Sequence, residues 1–238
     1  MRSATLAPET AAPGPAEFYR VNRGGGLFSE GLSQRVGALF AAAAYRVGAP
    51  PTALTAGSLV IGLATSAAVI ALASTAVPAW VAGLVALVGW QLAYALDCAD
   101  GQLARVSGKA SPAGARIDVL CDVAVQISLV AALAAVAVDQ RPLTASWLVA
   151  LFAGTWMVNL VTSVMQAGPN SGSMVTSTSL PVRVVKLVRD YGAVIFLAGL
   201  VLLLVPQWTI WLLVAFTIVN GGFLLASIAF TGRTALRS

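Results

Sequence analysis

From Val47 to Leu96 the chain runs for fifty residues without a single charged side chain. About 20 apolar residues cross a bilayer, so this run is too long for one span. Pro78 divides it, which predicts two membrane helices, 52–76 and 79–105, the first entered through Ala49-Pro50-Pro51. Later boundaries fall at the polar loop 106–113, at Asp139–Arg141, in the Gly/Ser/Thr-rich stretch Gln166–Pro181 and at Pro206. They predict further helices over 113–138, 143–166, 191–205 and 207–230. The expected fold class is therefore an all-α integral membrane protein with six transmembrane helices. Charged residues make up 10% of the 238-residue chain against roughly 25% in soluble domains, which excludes an ordinary soluble fold.

An amphipathic helix is expected ahead of the first span, over 30–48. Leu32, Val36, Leu39, Phe40, Ala43 and Val47 recur on one face. The long apolar run directly behind it favours a helix lying in the membrane interface over one packed as an ordinary core helix. Residues 1–28 carry Pro8, Pro13, Pro15 and Gly24-Gly25-Gly26 and no apolar core. They are expected to be a flexible tail without a signal peptide, with residues 29–238 forming one membrane domain.

Basic residues orient the bundle. With six spans, thirteen of the fourteen Lys and Arg fall on the side of the two termini, and only Arg141 falls on the other. The termini are thus expected in the cytoplasm. The net charge of +5 reads as this bias rather than as a nucleic-acid surface. Trp80, Trp147, Trp208 and Trp211 fall near the predicted opposite ends, where interfacial anchoring explains them.

The chain has no histidine, which excludes His-based triads and His-ligated metals. Cys98 and Cys121 sit in apolar surroundings and are expected to pack as small side chains. Acid–base chemistry near neutral pH is left to carboxylates, Tyr, Lys or Cys. Four of the six aspartates fall within 97–122. Asp97 and Asp100 are i, i+3 on one helix, and Asp118 and Asp122 are i, i+4 on the next, so each pair shares a face. The short loop between the helices brings the pairs together near one membrane surface. Converging carboxylates repel in low dielectric, and a divalent cation answers that repulsion better than the nearby Arg105 and Arg116. Oxygen-only ligation favours magnesium, manganese or calcium over zinc. Four carboxylates could hold two ions, an arrangement that clamps a phosphoryl group. A structural ion-pair cluster or an ion-transport path would use the same carboxylates.

Gly101 and Ala104 keep the same helix face thin, Gly114 does so across the gap, and Arg105 can grip a phosphate. The whole segment reads Asp97-x2-Asp100-Gly101-x2-Ala104-Arg105-x8-Gly114-x3-Asp118-x3-Asp122. It resembles the signature of the CDP-alcohol phosphatidyltransferase family, with every signature position filled. The resemblance implies a phospholipid-synthesis enzyme: a CDP-alcohol, such as CDP-diacylglycerol, donates its phosphoryl-alcohol part to an acceptor alcohol and CMP leaves. It implies Asp97, Asp100, Asp118 and Asp122 as ligands of two Mg²⁺ or Mn²⁺ ions, with Asp122 also the base. It implies Gly101, Ala104, Arg105 and Gly114 around the nucleotide, and a homodimer. Where the family often has Pro-Asn-x-x-Thr before its first span, this chain has Pro51-Thr52-Ala53-Leu54-Thr55, leaving Thr55 as a nucleotide contact. Lys109, Arg116, Arg183 and Lys186 are candidate acceptor contacts, with plain positive-inside charge the competing reading for Arg183 and Lys186. Asn159, Ser163 and Gln166 form a polar stripe that could line the acceptor site or bond between helices. A non-catalytic membrane protein or a divalent-cation transporter is the alternative function.

Overall fold

The computed structural model describes residues 12–22, 25–166 and 190–236, without the side chains of 159–160, 162–166, 230 and 234–235. These residues are helical or form short turns and connections, with no strand among them. A short helix α1 (Pro15–Arg20) and a π-type turn (Ser29–Ser33) lead into α2 (Gln34–Arg46). The bundle follows as α3 (Pro51–Ala73), α4 (Ala79–Val106), α5 (Pro112–Gln140), α6 (Ser146–Gln166), α7 (Tyr191–Leu204) and α8 (Thr209–Ala235).

The starts of these helices are written locally. Pro51 and Pro112 occupy first-turn positions where no amide donor is needed. Ser111 and Asp190 cap α5 and α7 by accepting from the amides of Gly114 and Gly192. The helix α4 stops where Gly108 takes a positive φ of 66°.

Among the described residues, four segments are long and apolar enough to cross a membrane: Pro51–Ala73, Ala79–Val106, Pro112–Gln140 and Pro206–Arg233. Ser146–Val158 and Tyr191–Leu204 are shorter apolar stretches. The spans expected at 52–76, 79–105, 113–138 and 207–230 thus coincide with long apolar helices, and α6 and α7 lie where the remaining two were expected.

Helix α4 is the hub, packing against α2, α3 and α7. Small residues let it approach closely. A Cβ built on Gly83 would stand 2.2 Å from the Cα of Leu203 in α7, so backbone meets backbone there. The core around Trp90, Leu129, Leu133, Phe152, Trp156 and Leu213 joins α4 to α8. Its polar groups are matched: Trp90 Nε1 donates to Ser66 Oγ at 3.1 Å, and Trp156 Nε1 donates to Gln126 Oε1 at 3.2 Å. Gln126 therefore serves an interhelical bond. Trp80, Trp147, Trp208 and Trp211 are all more than half exposed and gather at helix ends remote from the aspartates.

The N-terminal region departs from a plain flexible tail. Residues 15–20 are helical, Phe18 is fully buried, and its ring meets Tyr45 edge-on at 5.9 Å. Tyr19 Oη donates to the Glu30 carbonyl at 3.1 Å. The sequence signal was hidden because one aromatic residue carries the burial. The helix expected over 30–48 is α2 with its preceding turn. Its small face of Gly37, Ala38, Ala41 and Ala42 packs inward, while Leu32, Leu39 and Val47 point outward, 43%, 58% and 80% exposed. Leu32, Leu39, Ala43 and Val47 of the predicted apolar stripe thus lie on the outer face, while Val36 and Phe40 are half-buried.

Candidate active site

The C-terminal end of α4 and the N-terminal end of α5 meet through the short turn 107–111. Asp97 and Asp100 come from the first helix and Asp118 and Asp122 from the second. One carboxylate oxygen from each of Asp97, Asp100 and Asp118 lies within 4.8 Å of the other two. Asp122 stands outside this trio and faces Asp97. Asp100 is only 5% exposed. Its Oδ2 accepts from Thr55 Oγ1 of α3 at 2.5 Å. Asp118 Oδ1 is buried without a hydrogen-bond partner.

These residues fit a hard divalent cation. The donors are all oxygen, they converge, and an orphaned buried carboxylate oxygen is costly unless something positive meets it. Asp97, Asp100 and Asp118 are the residues that could hold such an ion, and Asp122 is adjacent to them.

Beside the trio opens a cavity of about 190 Å³. Thr52 and Thr55 line it from α3, Asp100, Gly101, Ala104 and Arg105 from α4, and Gly114 and Asp118 from α5. Lys109 and Ser111 close it from the turn. The absence of side chains at Gly101 and Gly114 keeps the cavity open. A Cβ on Gly101 would meet the Arg105 guanidinium at 3.0 Å. Ser111 Oγ accepts from Gly114 N at 3.0 Å and so fixes the first turn of α5 against the cavity. The arrangement presents acceptors for metal on one wall and a guanidinium and an ammonium for phosphate on the others.

Most expected site residues therefore converge: the four aspartates, Gly101, Ala104, Arg105, Gly114, Thr55 and Lys109. Arg116 does not; it is exposed and does not line the cavity. It stands two positions before Asp118, which rotates it about 200° around the helix to the far side. Thr55 plays a part that spacing did not suggest, since its hydroxyl is bonded to a carboxylate as well as lining the cavity. Ser111 was missed, although a serine directly before Pro112 is a helix-start signal. Arg183 and Lys186, and the side chains of Asn159, Ser163 and Gln166, lie outside the described residues.

Clustered carboxylates beside a cationic cavity, at the end of a bundle of long apolar helices, make a site suited to phosphate chemistry in a multi-pass membrane protein. The family model of the CDP-alcohol phosphatidyltransferases matches residues 49–219, and the chain belongs to this family. That assignment carries phosphatidyl transfer in phospholipid synthesis as its general activity, with CDP-alcohol donors and alcohol acceptors as its substrate classes. Curated proteins yielded no match to the chain.

Proposed function

We propose that this protein transfers the phosphoryl-alcohol part of CDP-diacylglycerol to an acceptor alcohol and releases CMP. The observation that carries the reading is the single cavity shared by Asp100, Asp118, Gly101, Arg105 and Lys109, next to the carboxylate trio. Arg105 and Lys109 bind the diphosphate, Gly101, Ala104 and Gly114 leave room for the nucleotide, and Thr55 lines the same space. Two magnesium or manganese ions, when bound by Asp97, Asp100, Asp118 and Asp122, neutralise the diphosphate and the charge developing on CMP. Asp122 takes the proton of the attacking hydroxyl. A new P–O bond forms to the acceptor oxygen, the phosphoanhydride bond to CMP breaks, and its electron pair leaves on the CMP phosphate. Asp97 and Asp122 do not line the nucleotide cavity, which supports their facing the incoming alcohol.

The reading extends to the setting. Helices α6 and α7 complete six spans, with the site and both termini at the cytoplasmic face. Residues 29–238 act as one membrane domain. Helix α2 lies in the interface, supported by its outward Leu32, Leu39 and Val47. Two copies associate as a homodimer. Arg183 and Lys186 favour a phosphorylated acceptor.

The test is CMP release by the purified protein in lipid micelles, with CDP-diacylglycerol, magnesium and acceptor alcohols added one at a time. Acceptor-dependent CMP that disappears in Asp122→Asn is the expected result and names the acceptor. Folded, metal-binding protein that releases no CMP with any acceptor would refute the proposed reaction.

A further inference from the structure

The N-terminal segment lies before residue 49, where the family match begins, yet a buried network ties it to the wall of the site. At its centre is Asp190, 4% exposed, the residue just before α7. Its carboxylate accepts from Phe28 N at 2.8 Å, Ser29 N at 3.0 Å and Gly192 N at 3.1 Å. It accepts a further bond from Ser29 Oγ. One carboxylate thus caps both the turn that leads into α2 and the start of α7. The fit is close, because a Cβ on Gly26 would stand 2.1 Å from Asp190 Oδ2.

Ser29 extends the network into α4. Its Oγ lies 3.1 Å from Tyr94 Oη. The Tyr94 ring meets the Tyr191 ring edge-on, centroids 4.9 Å apart. Gln91 Nε2 braces the same corner by donating to Gly192 O at 2.9 Å. Tyr94 lies one turn before Asp97 and Cys98, and Tyr191 is within electrostatic reach of Asp122 and Asp97. The carboxylates within electrostatic reach of this wall, Asp97 and Asp122, do not line the nucleotide cavity, whereas Asp100 and Asp118 do. In an in-line displacement the attacking oxygen approaches opposite the leaving oxygen. With CMP leaving into the nucleotide cavity, the acceptor approaches along the Tyr94–Tyr191 wall.

We infer that Asp190, Ser29 and Tyr94 are positioning residues that hold the Tyr191 wall for the acceptor alcohol, making the N-terminal segment a working part of the acceptor side. This rests on the phosphoryl-transfer reading above. The experiment compares wild type, Ser29→Ala, Tyr94→Phe and the double variant as full-length protein in micelles. KM for the acceptor, KM for CDP-diacylglycerol, kcat and the magnesium concentration for half-maximal rate are measured. Ser29→Ala keeps both backbone donations to Asp190, so it retains the fold where Asp190→Asn could lose it.

The expected result is an acceptor KM raised roughly 3- to 10-fold in Tyr94→Phe, the factor one neutral hydrogen bond supplies, and at least as much in Ser29→Ala, which also loses its bond to Asp190. The donor KM and magnesium requirement stay unchanged. The double variant is no worse than Ser29→Ala, because Tyr94→Phe removes only a bond that Ser29→Ala already removes. Donor and acceptor constants that move together, a purely lower kcat with a lower melting point, or no change at all would each overturn the inference while wild-type activity stands. Wild-type protein that releases no CMP refutes the phosphoryl-transfer reading itself, and the inference falls with it.

Discussion

Thr55→Val separates two roles for a residue on the cavity wall. The substitution keeps the branched shape and removes the hydroxyl that donates to Asp100 Oδ2 at 2.5 Å. Thr55 is 6% exposed and Asp100 5%, so water does not readily replace the lost donor. A hydrogen bond to a charged group contributes about 1.5–3 kcal/mol. Loss of a partner that orients a metal ligand typically costs about 10- to 100-fold in metal affinity or activity. At about 1.4 kcal/mol per tenfold, the two scales agree. The expected outcome is a magnesium requirement for half-maximal CMP release raised by about 10- to 100-fold. Excess magnesium restores most of the rate, and Thr55→Ser stays near wild type. The assay is a magnesium titration at saturating donor, followed by a donor titration at saturating magnesium. A raised donor KM with an unchanged magnesium requirement would refute the reasoning and make Thr55 a direct nucleotide contact.

Other consequences can be checked in the same preparation. Arg105→Ala is expected to cost about 100-fold or more in kcat/KM, the scale of losing one charge-stabilising donor, while the outward-facing Arg116→Ala stays within about twofold. Ser111→Ala removes the bond to Gly114 N and is expected to cost about 1 kcal/mol of stability, seen as a lower thermal midpoint in micelles. Gly83→Ala forces a methyl group against the Leu203 backbone, and an overpacking cost of about 1–3 kcal/mol is expected to lower that midpoint too. An unchanged midpoint would mean that α4 and α7 can part without loss.

The site was legible wherever it depended on helical spacing. Asp97, Asp100, Gly101, Ala104 and Arg105 share one stretch of α4, and a turn too short to wander returns the chain to Asp118. The same periodicity, applied to Arg116, would have excluded it. Helix boundaries were legible because Pro51, Pro78, Pro112 and Pro206 punctuate the apolar runs. The Asp190 network was not legible. Its partners, Phe28 and Ser29, stand 162 and 161 residues away, and no local pattern encodes that meeting. Nor does composition reveal that Phe18, alone between prolines and glycines, is a fully buried anchor.

The length of α4 has a consequence for where the chemistry happens. Its 28 residues rise about 42 Å, against about 30 Å of bilayer hydrocarbon. With exposed Trp80 placed at the far interface, as interfacial anchoring would have it, twenty residues of rise separate it from Asp100. A tilt of about 20° shortens the helix by only a few ångströms, so its last turns still overhang the oil. With Trp80 so placed, the carboxylates would stand at the depth where acyl chains give way to phosphates. On the proposed reaction, a diacyl donor would keep its tails in hydrocarbon and present its diphosphate to Arg105 among hydrated headgroups. Removing one turn between Trp80 and Asp97 would draw the carboxylates about 5 Å into hydrocarbon, away from the phosphates they serve.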